Sequence, residues 1–245
     1  GVYELLSTAV SASPSARYAR SNVYAPKPAT TLLLNRDVPV EDLGMLYAFA
    51  APEASVKNQA LSQILARHLR VRAFETLRTE EQLGYAAGGG ALDLYKHPMV
   101  ILYIQTPVKG PQEMLDRFTA YTEEYRDELA ALPEASFEKF KAGVLTALTE
   151  PPKNLSAEAG PFVSDWAIEH YDFDTRAKLI AAVNAATLQD VQRFYEETVF
   201  SDASSRIVIQ LRGKRYSERP FATVEGGVMI DDIDKFHNEM PVQAR

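Results

Sequence analysis

Between Ser55 and Gly84 the chain carries one long helical pattern, and that pattern limits what the rest can be. Leu61, Leu65, Leu69, Ala73 and Leu77 recur every four residues, with Ile64 and Phe74 beside them. One face of the helix is therefore apolar along its whole length. Such a helix cannot bury that face by itself and needs a second layer to lie on. Ser55 is a suitable N-cap, and Gly84 is expected to stop the helix as a left-handed residue.

The flanking segments supply the second layer. TTLLLN (30–35) and LGMLYAFAA (43–51) before the helix read as strands, as do residues 85–90 and 99–106 after it, the latter two joined by a loop, ALDLYKHP. Pro111 sits where a first helical residue would, with Met114, Leu115, Phe118, Thr122, Tyr125 and Leu129 following at helical spacing. Pro133 opens another helix containing Phe137, Phe140, Val144 and Leu148, and Pro151–Pro152 stops it. Residues 156–170, 175–183 and 188–198 are further helical segments, the last preceded by a Thr187-x-x-Asp190 capping box. RIVIQLRG (206–213) alternates as a strand, and the tail from Glu218 is mostly irregular. The expected fold is α+β: a mainly antiparallel sheet with helices packed on one face. Residues 1–28 read as the remnant of a preceding domain and a Ser/Ala/Pro-rich linker, and residues 29–245 as the domain itself.

The net charge of −7 argues against a nucleic-acid backbone as partner. The absence of cysteine excludes disulfides, thiolate metal sites and a cysteine nucleophile. No apolar run is long enough for a membrane span.

Among the four histidines, His68, His97, His170 and His237, none forms HxxEH or HExxH. His68 is followed one turn later by Arg72, which cannot ligate a metal. His170, Asp172 and Asp174 alternate at a helix end and read as a solvated terminus rather than a metal site. Asp231, Asp232, Asp234, His237 and Glu239 read as a solvated acidic face. Gly88, Gly89 and Gly90 lack the GK[ST] ending of a phosphate loop and fit a strand end or bulge. No GxSxG nucleophile elbow occurs.

LRTEEQLGY (77–85) remains, with two readings. In one, Arg78 pairs with Glu75 or Glu81 and Tyr85 packs in the sheet. In the other, the helix stop brings Arg78 and Tyr85 together as donors able to hold a peptide carbonyl while an oxyanion develops.

FETLRTEEQLGYA (74–86) resembles the matching segment in the C-terminal half of the pitrilysin and insulin-degrading-enzyme family of inverzincin zinc metallopeptidases. KNLSAEA (153–159), EHYDFDTR (169–176), ATLQDVQRFYEE (186–197) and IDDIDKFHNEMP (230–241) follow that family's order. The resemblance implies a non-catalytic C-terminal domain that completes a closed substrate chamber. Zinc would be held by HxxEH in the N-terminal half, which would be this chain's partner, and no metal by this fragment. It implies that Arg78 and Tyr85 support catalysis, that Phe74 contacts substrate, and that peptides or small polypeptides are cleaved. The fragment alone would be inactive. It is compatible with a periplasmic location, with a cytoplasmic one as alternative. The other reading open at this point is a freestanding, non-catalytic subunit of a two-chain processing-type peptidase. AAGGGALDL (86–94) departs from the family's more apolar continuation.

Overall fold

The computed structural model describes residues 28–94, 97–167 and 170–239. The preceding-domain remnant and linker expected over residues 1–28 lie, but for Pro28, outside them.

Strands β1 (Thr31–Asp37), β2 (Leu43–Ala50), β3 (Ala86–Leu94), β4 (His97–Thr106), β5 (Ser205–Arg212) and the short β6 (Val228–Met229) form one sheet in the order β3-β4-β2-β5-β1-β6. β3–β4, β4–β2 and β2–β5 are antiparallel, while β5–β1 and β1–β6 are parallel. The antiparallel majority agrees with the expectation. The parallel pairs follow from chain order: β5 enters between β2 and β1, which themselves run antiparallel, and so matches one of them.

Period-two alternation sets the two faces. Leu43, Met45, Tyr47 and Phe49 of β2 point into the main core with Leu102, Ile104 and Val208 from its neighbours. Ala48 and Ala50 point the other way, to a small cluster with Met99. The tail is tied to the sheet by the fully buried Gln210. Its amide donates to the Ala222 carbonyl (2.9 Å) and accepts from the Ala222 N–H (2.8 Å).

The helices cover the first face. α1 (Val56–Ala73) begins as expected, Ser55 Oγ accepting from the Asn58 N–H at 3.1 Å. α2 (Pro111–Ala130) buries Met114, Leu115, Phe118, Thr122, Tyr125 and Leu129, the stripe read from the sequence. α3 (Glu134–Thr149), α4 (Leu155–Ala167), α5 (Thr175–Ala185) and α6 (Leu188–Val199) follow, and α7 (Ile233–Glu239) lies in the tail. The Thr187–Asp190 capping box closes at both bonds, 3.1 Å and 3.3 Å. Among the described residues no helix is long and apolar enough to cross a membrane.

Two expectations need correction. The ALDLYKHP stretch is strand rather than loop up to Leu94 and again from His97, because β3 and β4 stay paired to the Leu94–His97 end of the hairpin. The glycine run lies inside β3, not at a strand end. Gly89 is where α1 rests on the sheet: an added Cβ would stand 2.8 Å from Leu69 Cγ and 3.2 Å from Ala73 Cβ.

Candidate functional site

At Phe74 the long helix changes winding. Residues Phe74–Glu80 form a π-helix, and the wider register runs on past its end: the Glu81 N–H donates to Thr76 O and the Leu83 N–H to Leu77 O, both at 3.0 Å. Long π-segments are rare and cluster at functional sites. The chain then reverses at Gln82, whose φ of 52° is left-handed. Gly84 is therefore not the left-handed stop that the sequence predicts. It is required for a different reason: an added Cβ would lie 2.0 Å from the Gln105 carbonyl oxygen, so the backbone crosses β4 there without room for a side chain. Thr106 Oγ1 donates to the Leu83 carbonyl and fixes that crossing.

Two arginines splint the π-segment to its neighbours. Arg72 binds Glu75 at the segment's start (2.5 Å) and Glu128 of α2 through its Nε (3.0 Å). Arg117 of α2 grips Glu81 at the segment's end, Nε to Oε2 at 2.9 Å, and Glu124 at 2.8 Å. Tyr121 lies between the two, its buried hydroxyl without a partner among the described residues and its pKa pushed up by burial and by Glu128. Bidentate pairs of this kind fix geometry as well as adding energy.

These ion pairs decide the fate of Arg78. Glu75 and Glu81, its expected partners, are taken by Arg72 and Arg117. Among the described residues Arg78 pairs with no carboxylate. Its guanidinium lies 4.6 Å from the Phe74 ring centroid and 4.6 Å from that of Tyr85. Each such contact is worth about 0.5–1 kcal/mol at an exposed site. Tyr85 does not pack in the sheet but is 84% exposed. The three residues singled out from the sequence thus form one stack, ring–guanidinium–ring, at the mouth of the β3 strand. It presents an N–H fork and a phenolic O–H to solvent, both donors suited to carbonyl oxygen.

The other candidates have structural occupations. His68 is buried, its Nδ1 3.0 Å from the Tyr125 hydroxyl, and burial lowers its pKa. His97 Nε2 is 2.8 Å from the Ala51 carbonyl. His170, Asp172 and Asp174 do come together, yet Asp174 is engaged by His170 (2.7 Å) and Lys178 (3.0 Å). Those two partners hold its pKa down. The lysine ammonium occupies the place a cation would take. Asp231, Asp232 and Asp234 are exposed, and the His237 side chain lies outside the described residues.

Sequence reading missed the splints and the π-winding. The splints had a signal, since Arg117, Tyr121, Glu124 and Glu128 fall on one stripe of α2.

Residues 64–163 match the family described as PQQ synthase PqqF-like, C-terminal lobe domain 4. Protease 3 of Escherichia coli (strain K12) is 24% identical over 187 residues, covering 76% of this chain and 19% of that protein. Human insulin-degrading enzyme is 26% identical over 152 residues, covering 62% of this chain and 15% of that protein. The crystal structure of pitrilysin superposes with a TM-score of 0.85 at 21% identity, covering 94% of this chain and 25% of that one. The chain is homologous to the C-terminal lobe of these peptidases and carries the pitrilysin fold. It spans about a fifth of the length of the first curated relatives it matches.

Proposed function

We propose that this chain, as a homologue of a peptidase C-terminal lobe, serves as the non-catalytic domain of a zinc metalloendopeptidase. In this reading it closes the substrate chamber, and its Phe74–Arg78–Tyr85 stack contacts the peptide being cut. The observation that carries the proposal is the stack itself: an arginine without a carboxylate and an exposed tyrosine, held together on a splinted π-segment.

The zinc implied by the family does not fit the residues of this chain. HxxEH is absent, and Asp174 in the one described His/Asp cluster is occupied by Lys178. We therefore assign zinc to the N-terminal half of the parent polypeptide and give this chain only the following work. The Tyr85 hydroxyl donates a hydrogen bond to the scissile carbonyl oxygen, and that bond strengthens as the oxygen gains negative charge. Arg78 holds the tyrosine ring by its face and directs its free N–H groups to a neighbouring carbonyl. Phe74 backs the guanidinium and offers its exposed edge to a substrate side chain. The match to a C-terminal lobe domain favours one long polypeptide over a freestanding partner subunit. Peptides or small polypeptides as substrates, and a periplasmic location, belong to the same proposal.

The test is turnover of the parent enzyme carrying Tyr85→Phe or Arg78→Ala. Each lowers kcat by about 10²–10³, while stability falls by no more than about 0.5 kcal/mol for Tyr85→Phe and by about 1–2 kcal/mol for Arg78→Ala, which loses both ring contacts. Unchanged turnover in both variants refutes the role.

A further inference from the structure

Helix α4 is inside out. Leu155, Phe162, Val163 and Trp166 point to solvent, Leu155 at 78% and Trp166 at 66% exposure, and Tyr171 and Phe173 extend the surface in the turn that follows. The side turned towards the protein carries Ala157, Pro161, Ser164 and Asp165, which line a cleft of about 520 Å³ against the end of α3 and the start of α5. Asp165 is buried and accepts from the Thr175 N–H (3.4 Å) at the head of α5. A helix that only completed a core would have these faces exchanged, as α2 does. A contiguous apolar surface of this kind marks an interaction site.

α4 meets the domain at the end of α3 and the head of α5, and α5 in turn packs on α1.

The charges around the face are unbalanced. Lys153 is taken by Glu150, Lys178 and His170 by Asp174, and Arg176 by the carbonyls of Leu148 and Glu150. Among the described residues Glu158 and Asp172 have no ion pair. The face therefore joins aromatic surface to Glu158, which forms no ion pair among the described residues, and to Asp172, which shares the nearby Lys178 with Asp174. A second copy docking face to face would bring these like charges together, which disfavours self-association.

We propose that the outer face of α4 is a peptide-holding surface that binds a stretch of substrate away from the scissile bond. The stretch is extended, with apolar side chains on Phe162, Val163 and Trp166 and Lys or Arg side chains against Glu158 and Asp172. This rests on the reading of the chain as part of a peptidase.

Trp166 is the only tryptophan, so its emission reports occupancy of the face directly. The chain is titrated with two unstructured peptides of equal length and apolar content, one rich in lysine and arginine, the other in glutamate. The basic peptide is expected to give a saturable blue shift with a Kd roughly tenfold lower than the acidic one. Phe162→Ser removes the shift, and Glu158→Lys with Asp172→Lys reverses the preference. No shift with either peptide, or equal affinities, overturns the proposal. So does a blue shift that grows with chain concentration alone and accompanies a doubled mass. In the parent enzyme, Val163→Cys must react with a soluble maleimide, read by peptide mass mapping; protection without peptide means that a neighbouring domain covers the face, and also overturns it. Arg78→Ala and Tyr85→Phe leave the titration unchanged. Turnover unaffected by those two variants refutes the stack's role but not the α4 surface, and a failed titration does the reverse.

Discussion

The long helix has two stretches, and they are held by different forces. From Val56 to Ala73 it has a side-chain cap, and Leu61, Ile64, Leu65 and Leu69 are buried against the sheet and the neighbouring helices. From Phe74 to Glu80 only Leu77 is buried, and Arg72 and Arg117 hold the two ends from outside. Burial is non-directional and leaves a helix free to settle as an ordinary α-helix. Bidentate ion pairs fix particular atoms, and the Arg117–Glu81 pair does so where the wider winding ends. They also consume the nearby carboxylates and so leave Arg78 to its two rings. What the contrast teaches is that the first stretch is held mainly by burial and the second mainly by polar contacts to particular atoms.

Substitutions can break or sharpen that distinction. The largest effect is expected from Gly84→Ala, because the new methyl meets the Gln105 carbonyl oxygen. It should cost about 3 kcal/mol in denaturant unfolding and displace Tyr85, so turnover of the parent falls as well. Arg117→Ala should cost about 1.5 kcal/mol, since it releases Glu81 and Glu124 together. Turnover per folded molecule should fall with it. Ser55→Ala, at the other end of the helix, should cost about 1 kcal/mol and leave that turnover unchanged. If Arg117→Ala and Ser55→Ala alter turnover alike, the two stretches are not distinct.

The smallest effect is a pH dependence. Burial lowers the pKa of His68, so the unfolded chain takes up a proton that the folded site refuses. The unfolded state then holds more protons below the ordinary histidine value of 6.5. Stability is full above that value and declines as pH falls from it towards the lowered one. His68→Gln should flatten this part of the profile in urea melts between about pH 7.5 and about pH 5.5. An unchanged slope would assign it to other groups.

What the sequence revealed follows the range of the forces involved. Ser55, Pro111 and the Thr187–Asp190 box act within one helical turn, and each stands where the local pattern predicts. The strands declare themselves through alternation. Arg78, Tyr85 and Phe74 were visible as a motif, but their mutual stacking was not. It depends on Glu75 and Glu81 being claimed, and Glu81 is claimed by a residue 36 positions away. Gly84 shows the limit well: the residue type was informative, yet the constraint on it comes from β4 and not from the dihedral angle. The parallel pairing of β1 with β5 is likewise set by what lies between them in the chain.

β5 enters the sheet late and in the middle. Until Ser205–Arg212 has been synthesised, β1 and β2 each present an unpaired row of backbone groups to the same gap. Order of manufacture and order of assembly are opposed here. A nascent chain must keep two adhesive strand edges apart through the production of the six helices α1–α6, which is the condition that favours aggregation and chaperone capture. Loss of the last forty residues would for that reason be far more damaging than their distance from Arg78 implies, because it removes the keystone of the sheet and not a margin.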